Sequence, residues 1–279
     1  NTLILEYMDS AVPLVKQIAA YLITSGGKRI RPLLTLAFSS LCGSTGRDSH
    51  CLAAAVEFIH TATLLHDDVV DESDQRRGKP TANKSFGNQA PILVGDFLFS
   101  RSFQLMVETG NMDALRVLSD ASAIIAEGEV LQLSVHGNLD IDLDTHLKVL
   151  EGKTAILFAA ACQSGALVSG ADAAQQMAAF NFGLNLGMCF QITDDLIDYK
   201  GQRCVTGKNS GDDFMEAKIT LPLLLSYQSA SPEDRQKLVD MISQPQRSLE
   251  DFECAKEIIT RYNGYTLTLE KQNYFMIKH

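Results

Sequence analysis

Two five-residue clusters, Asp67-Asp68-Val69-Val70-Asp71 and Asp194-Asp195-Leu196-Ile197-Asp198, restrict the fold of this chain more than any other feature. Both read D-D-x-x-D. Each closes a long apolar segment, Cys51 to Leu65 for the first and Phe180 to Ile192 for the second. In a helix, residues i and i+4 share a face, so Asp67 points with Asp71 and Asp194 with Asp198. Stacked carboxylates repel, and a helix C-terminus already carries partial negative charge. Stability alone does not ask for that arrangement, least of all twice. Divalent cations do ask for it: Mg2+ takes a few carboxylates and completes its shell with water and phosphate oxygens. A solvated acidic surface is the plain alternative. It fits poorly with carboxylates that cap two apolar helix bodies. The pair of motifs therefore implies two helices with buried bodies and acidic ends that grip a diphosphate through metal ions.

The chain has 279 residues, 46% of them hydrophobic and 21% charged, enough for a sizeable core. Its net charge of −10, without a basic stripe, excludes nucleic acid as a partner. An anionic substrate remains compatible where metal ions intervene. The six cysteines (42, 51, 162, 189, 204 and 254) form no C-x-x-C pair, and those at 51, 162 and 189 lie in apolar stretches. That usage points to a reducing, cytoplasmic setting. Apolar runs such as Ala155 to Ala161 fall far short of the ~20 residues of a membrane span. The chain starts and stops in mid-pattern, so both ends are expected to be incomplete.

Strand signals are nearly absent, with no apolar alternation between hairpin turns. Helical periodicity predicts helices over 3–24, 30–42, 47–71, 87–108, 111–136, 144–152, 154–169, 172–200, 217–228, 232–243, 250–262 and 266–278. Gly26-Gly27, Gly43, Gly110, Gly137 and Gly170 stand where helices should stop. Pro32, Pro222 and Pro232 fall near helix starts. No linker or repeat interrupts the pattern. The expectation is all-α: a single-domain bundle of about a dozen helices over 1–279. Two loops, 72–86 and 201–216, directly follow the acidic clusters and carry Arg76-Arg77-Gly78-Lys79 and Lys208 with Asp212-Asp213. Cations just beyond a metal cluster suit a bridging diphosphate.

Several stretches together resemble the trans-polyprenyl diphosphate synthases, specifically the long-chain octaprenyl/decaprenyl type that makes quinone side chains. They are Gly26-Gly27-Lys28-Arg29-Ile30-Arg31-Pro32, His60 to His66 leading into Asp67, Arg76 to Asn83, Gly95-Asp96, Gly128-Glu129, Lys153-Thr154, Phe190-Gln191 leading into Asp194, and Gly207-Lys208 with Gly211-Asp212-Asp213. They run in family order from 26 to 222; the tail beyond about 245 matches weakly. The resemblance implies the isoprenoid synthase fold, with helices around a deep central cavity. It also implies elongation of an allylic diphosphate by isopentenyl diphosphate, through an allylic carbocation.

By the same resemblance, Asp67, Asp71 and Asp194 are direct Mg2+ ligands, with Mn2+ as a substitute. Asp68, Asp195 and Asp198 support them or bind through water. Arg76, Lys153, Lys208 and Lys218 surround the allylic diphosphate. Lys28, Arg31, His60 and Arg77 form the isopentenyl diphosphate site. Thr154 joins the substrate contacts, and Phe190 and Gln191, one turn before the second cluster, face the site, where a Phe ring favours a nearby cation; by itself Phe190 reads as core packing. Fixed guanidinium forks suit phosphate oxygens in general. Physics alone does not separate Arg76 from Arg77; His60 by itself reads more readily as a satisfied core histidine, and Lys153 by itself reads equally as a solvated helix residue.

Ala62 and Thr63 lie one turn before Asp67 and are small, which leaves the floor under the diphosphate open to a long product. Below them, a helix over 47–71 would span roughly 37 Å at ~1.5 Å per residue, long enough to line a channel. A class I terpene cyclase, a non-catalytic partner subunit and an HD-type phosphohydrolase are the competing readings. They fit the second diphosphate site, the two intact clusters and the scattered histidines less well. A homodimer is expected, partly from apolar segments such as 91–106. No integral membrane segment is expected, and there is room for a peripheral membrane contact during product release.

Overall fold

The computed structural model describes residues 2–24, 26–43, 46–76, 78–200 and 211–277. Among these, the all-α expectation holds. The chain runs α1 (Thr2–Tyr7), α2 (Pro13–Thr24), α3 (Ile30–Leu41) and α4 (Arg47–Val70), then a two-residue antiparallel pair, β1 (Gln75–Arg76) with β2 (Lys79–Pro80). It continues through α5 (Ala82–Phe86), α6 (Gln89–Glu108), α7 (Met112–Ser134) and α8 (Leu143–Leu150). A π-helical turn (Glu151–Ala155) then leads into α9 (Ile156–Val168) and α10 (Ala173–Lys200). The last elements are α11 (Asp212–Met215), α12 (Leu221–Ser229), α13 (Pro232–Ile242), α14 (Leu249–Arg261) and α15 (Gly264–Ile277).

Three local departures from the periodic reading have physical causes. The segment expected as one helix over 3–24 breaks at residues 8–12, because Pro13 lacks an N–H and disfavours helical backbone before it. The helix expected from 217 starts at Leu221. Ala217 is left-handed (φ 54°), and Thr220 is extended ahead of Pro222. The helices expected over 144–152 and 154–169 join through the π turn.

The residues fall into two compact units, 1–123 with 156–184, and 124–155 with 185–279. In the first, α4 packs against α3, α6 and α9 and is buried on nearly all sides, so its composition shows no polar stripe. Leu52, Phe58, Ile59 and Leu65 are at most 1% exposed. Helix α9 meets α3 so closely that a Cβ on Gly165 would strike the Thr35 carbonyl. The Ser39 hydroxyl bonds to those of Ser49 (2.6 Å) and Ser169 (2.7 Å), pinning α3, the start of α4 and the end of α9.

In the second unit, α12 packs against α13, α14 and α15 over a core that includes Tyr199, Phe214, Leu238, Phe252 and Ile259. Ser231 caps α13, and Ser248 with Asp251 forms a reciprocal capping box on α14. The described cysteines (42, 51, 162, 189 and 254) are free thiols. No described helix is long and apolar enough to cross a membrane.

Candidate active site

The first acidic cluster ends α4. Asp67 and Asp68 occupy its last turn, and Asp71 is the C-cap residue. Asp67 and Asp71 are half-buried, one turn apart. Asp68 lies about 100° further round the helix and turns inward, 3% exposed. Arg76 meets it there: Nε (2.8 Å) and Nη2 (2.7 Å) both donate to Asp68 Oδ1. The route back from the helix end is held by Asn83, whose Nδ2 donates to the carbonyls of Asp68 (3.0 Å) and Ser73 (3.2 Å). The local fold thus brings a guanidinium onto the middle carboxylate of the motif, eight residues downstream.

A pocket in the same unit is lined by Gly26, Gly27, Arg29, His60, Asp68 and Arg76, among others. It gathers much of what the sequence separates by 50 residues. Lys28 is exposed in the stretch before α3. Arg29, which sequence reasoning passed over, lines this pocket from a left-handed backbone (φ 47°) at the start of α3. The signal was weak: three cations stand within four positions, and nothing in their order says which turns inward. Arg31 is half-buried. Its Nη1 donates to His60 Nε2 (3.2 Å), and its Cζ stands 4.4 Å from the Phe158 ring centroid. Ala62 is 1% exposed, and Thr63 is half-buried with its hydroxyl bonded to the His60 carbonyl (2.9 Å).

The second cluster lies near the end of α10. Asp194 is half-buried, whereas Asp195 turns inward and is 3% exposed. Asp195 Oδ1 accepts from Gln191 Nε2 (2.9 Å), and Oδ2 accepts from the Leu221 backbone N–H (3.2 Å). Gln191 Oε1 in turn accepts from the Thr154 hydroxyl (2.8 Å), so Thr154, Gln191 and Asp195 form one rail. Burial, reinforced by the Asp213 charge, pushes the Asp195 carboxyl up to about 8. Burial with Asp213 and Asp212 raises Asp198 to about 7. Asp198 Oδ1 accepts from the Gly211 N–H (3.3 Å), while its Oδ2 is buried without a partner among the described residues.

Lys153 sits in the π turn, and its Nζ contacts Glu129 Oε2 at 2.8 Å. The pair forms because α7 and the turn touch at two glycines; a Cβ on Gly128 would lie 2.9 Å from the Gly152 carbonyl carbon and from the Lys153 nitrogen. Lys218 pairs with Glu216 (2.7 Å), and Phe190 is 38% exposed. Arg77 and Lys208 lie outside the described residues.

These donors suit a hard divalent cation. Within each cluster they are all oxygen, and among the described residues Asp198 Oδ2 is a buried carboxylate oxygen without a match. Among the described residues, no three His, Cys, Asp or Glu side chains already gather around one point. Mg2+ is typically bound that way, through one or two carboxylates with substrate phosphates completing the shell.

The sequence model of the Polyprenyl synthetase family matches residues 12–259. The chain is 46% identical over 244 residues to the octaprenyl diphosphate synthase of Escherichia coli (strain K12), covering 88% of this chain and 76% of that protein. It is 43% identical over 231 residues to the all-trans-nonaprenyl-diphosphate synthase (geranyl-diphosphate specific) of Rhodobacter capsulatus, covering 82% and 71%. Among solved structures, it resembles a polyprenyl synthase from Caulobacter crescentus CB15 complexed with calcium and isoprenyl diphosphate. There the TM-score is 0.94 at 46% identity, over 99% of this chain and 84% of that one. A decaprenyl diphosphate synthase from Rhodobacter capsulatus gives a TM-score of 0.93 at 47% identity, over 99% and 85%.

Proposed function

The chain belongs to the polyprenyl synthetase family, and we propose that it adds isopentenyl diphosphate units to an allylic diphosphate to make a long-chain all-trans polyprenyl diphosphate for a quinone side chain. It is a prenyltransferase of the octaprenyl-to-decaprenyl kind. The observation that carries the chemistry is the repeated D-D-x-x-D, each copy with one carboxylate turned into the core and the others left at the helix end.

The hard step is breaking the allylic C–O bond, which leaves a delocalised carbocation and pyrophosphate. Divalent cations, when bound, act as Lewis acids on that leaving group without proton transfer. Asp67, Asp71 and Asp194 would hold them, with Asp68, Asp195 and Asp198 in support. The relative bound to calcium and isoprenyl diphosphate favours this donor chemistry. Lys153, Lys208, Lys218 and Arg76 supply positive charge to the allylic diphosphate; Lys28, Arg31, His60 and Arg77 serve isopentenyl diphosphate. The Thr154–Gln191–Asp195 rail fixes the Gln191 amide beside Phe190, whose ring face favours a nearby cation. The double bond of isopentenyl diphosphate attacks the cation, a proton leaves to the departing pyrophosphate, and the product is one isoprene unit longer.

The reading includes a cytoplasmic homodimer. Leu93 and Val107, exposed on α6, support pairing of that face. Light scattering at micromolar concentration would oppose it by giving a monomer mass. The test of function is incubation with isopentenyl diphosphate, farnesyl diphosphate and Mg2+, with chromatography of the products. The expected result is a long all-trans chain. Products ending at geranylgeranyl length, or no condensation at all, would overturn the assignment.

A further inference from the structure

Arg31 is the second residue of α3, and burial withdraws water from its guanidinium. That pulls its pKa down to about 10, with the Glu57 carboxylate acting in the opposite sense. A cation so placed needs compensation from its surroundings. Two contacts hold it. One is the bond to His60 Nε2 at 3.2 Å. Arginine has donors only, so Nε2 accepts and the imidazole proton sits on Nδ1. The other is the Phe158 ring, 4.4 Å from Arg31 Cζ.

Phe158 is 1% exposed on α9, in the stretch where Gly165 lets that helix press against the α3 backbone at Thr35. The ring is therefore a fixed platform, and the guanidinium lies over it. One donor is left over: Arg31 Nε is shielded from solvent and has no partner among the described residues. An unmet donor on an immobilised cation calls for an anionic acceptor.

We propose that Phe158 is a positioning residue, which sets the plane of Arg31 and through it the grip on the diphosphate of isopentenyl diphosphate. The inference rests on the reading that Arg31 serves that substrate. Phe158 itself touches no reacting atom. Its contribution is orientation, which a side chain of similar volume without a π face does not supply.

The test is a cycle of wild type, Phe158→Leu, Arg31→Lys and the double variant. KM for each substrate and kcat are measured, and folding is checked by thermal melting. A desolvated cation–π contact is worth about 1–2 kcal/mol, or roughly five- to thirtyfold in KM for isopentenyl diphosphate. Phe158→Leu is expected to raise that KM by this factor, with the allylic KM and kcat within about twofold. Arg31→Lys is expected to raise the same KM. In its background Phe158→Leu should add nothing, because both variants remove one interaction. Phe158→Met, whose flexible thioether refills the space, is measured in parallel and should match the leucine variant.

Additive effects would show that Phe158 acts as packing and overturn the proposal. So would parallel shifts in both KM values and kcat, or loss of folding in both Phe158 variants. An unchanged KM in Arg31→Lys would instead remove Arg31 from the isopentenyl diphosphate site, and the substrate reading would fail at that step.

Discussion

Gly128→Ala tests whether the meeting of α7 with the π turn sets the position of Lys153. The added Cβ would lie 2.9 Å from the Gly152 carbonyl carbon, 2.9 Å from the Lys153 nitrogen and 3.0 Å from Gly152 Cα. Ordinary contacts between carbon atoms are about 3.5–4.0 Å, so the turn must retreat by roughly half an ångström or more. The obstacle is backbone, which has no rotamer to change. Overpacking of this kind costs about 1–3 kcal/mol. At about 2–4 °C per kcal/mol, the melting midpoint should fall by roughly 2–12 °C. The functional effect should be larger than the loss of stability implies. The retreat carries Lys153 away from Glu129 and Thr154 away from Gln191, and displacing a positioned group by about 1 Å can cost on the order of a hundredfold in rate. The assay is kcat with both diphosphates saturating, beside a calorimetric melt. Gly46→Ala is the control, since nothing lies within 4 Å of its Cβ position and its φ of −109° suits any residue. Gly128→Ala with unchanged melting and turnover would refute the close-approach argument.

Asp67→Ala and Asp194→Ala should each lower turnover by orders of magnitude with the fold retained, because the lost interaction is strongest in the ionising transition state. Near-normal turnover in either folded protein at saturating Mg2+ would remove that residue from the metal site. His146, 3% exposed on α8 with its Nε2 buried and unpartnered among the described residues, has its pKa lowered by burial from 6.5 to about 4. The unfolded chain therefore takes up the proton first. Stability from this group is complete above pH 6.5 and is lost as pH falls toward 4, by roughly 3 kcal/mol in all. Denaturant melts at pH 7 and pH 4.5 measure it, and His146→Leu should flatten the difference. Ala62→Tyr should shorten the product while ionisation of the allylic diphosphate continues. Ala62 is 1% exposed, so a cost of about 1–3 kcal/mol in stability is expected too. Full-length product from this variant would show that the growing tail runs along another face.

Much of the helical frame is legible in the sequence for simple reasons. The five stop positions at Gly26, Gly43, Gly110, Gly137 and Gly170 all adopt positive φ, which side chains with a Cβ resist. Both long apolar segments form helices that reach their acidic clusters, α4 to Val70 and α10 to Lys200. The details that escaped depend on tertiary contacts. Which of Lys28, Arg29 and Arg31 turns inward is decided by the left-handed residue at Arg29 and by Phe158, 127 positions after Arg31. The π turn at Lys153 has no periodic signature. The Gly128–Gly152 contact behind it joins residues whose nearness no local pattern encodes.

The middle aspartates carry the comparison between the two clusters furthest. Helical spacing groups the first and last residues of D-D-x-x-D and sends the second about 100° away, so its inward turn follows from the same arithmetic. Asp68 and Asp195 are indeed equally enclosed, each 3% exposed. Enclosing a carboxylate requires a partner, and the two helices supply different ones. Asp68 receives a guanidinium from the hairpin that follows its own helix, so its charge is matched within the unit. Among the described residues, Asp195 receives neutral donors, the Gln191 amide and the Leu221 N–H, while Asp213 and Asp194 add negative charge around it. Identical motifs therefore end in different electrostatic states. In the second cluster, burial and the Asp213 charge favour the protonated form of Asp195, so this aspartate supports its neighbour Asp194, the proposed cation ligand, through neutral hydrogen bonds.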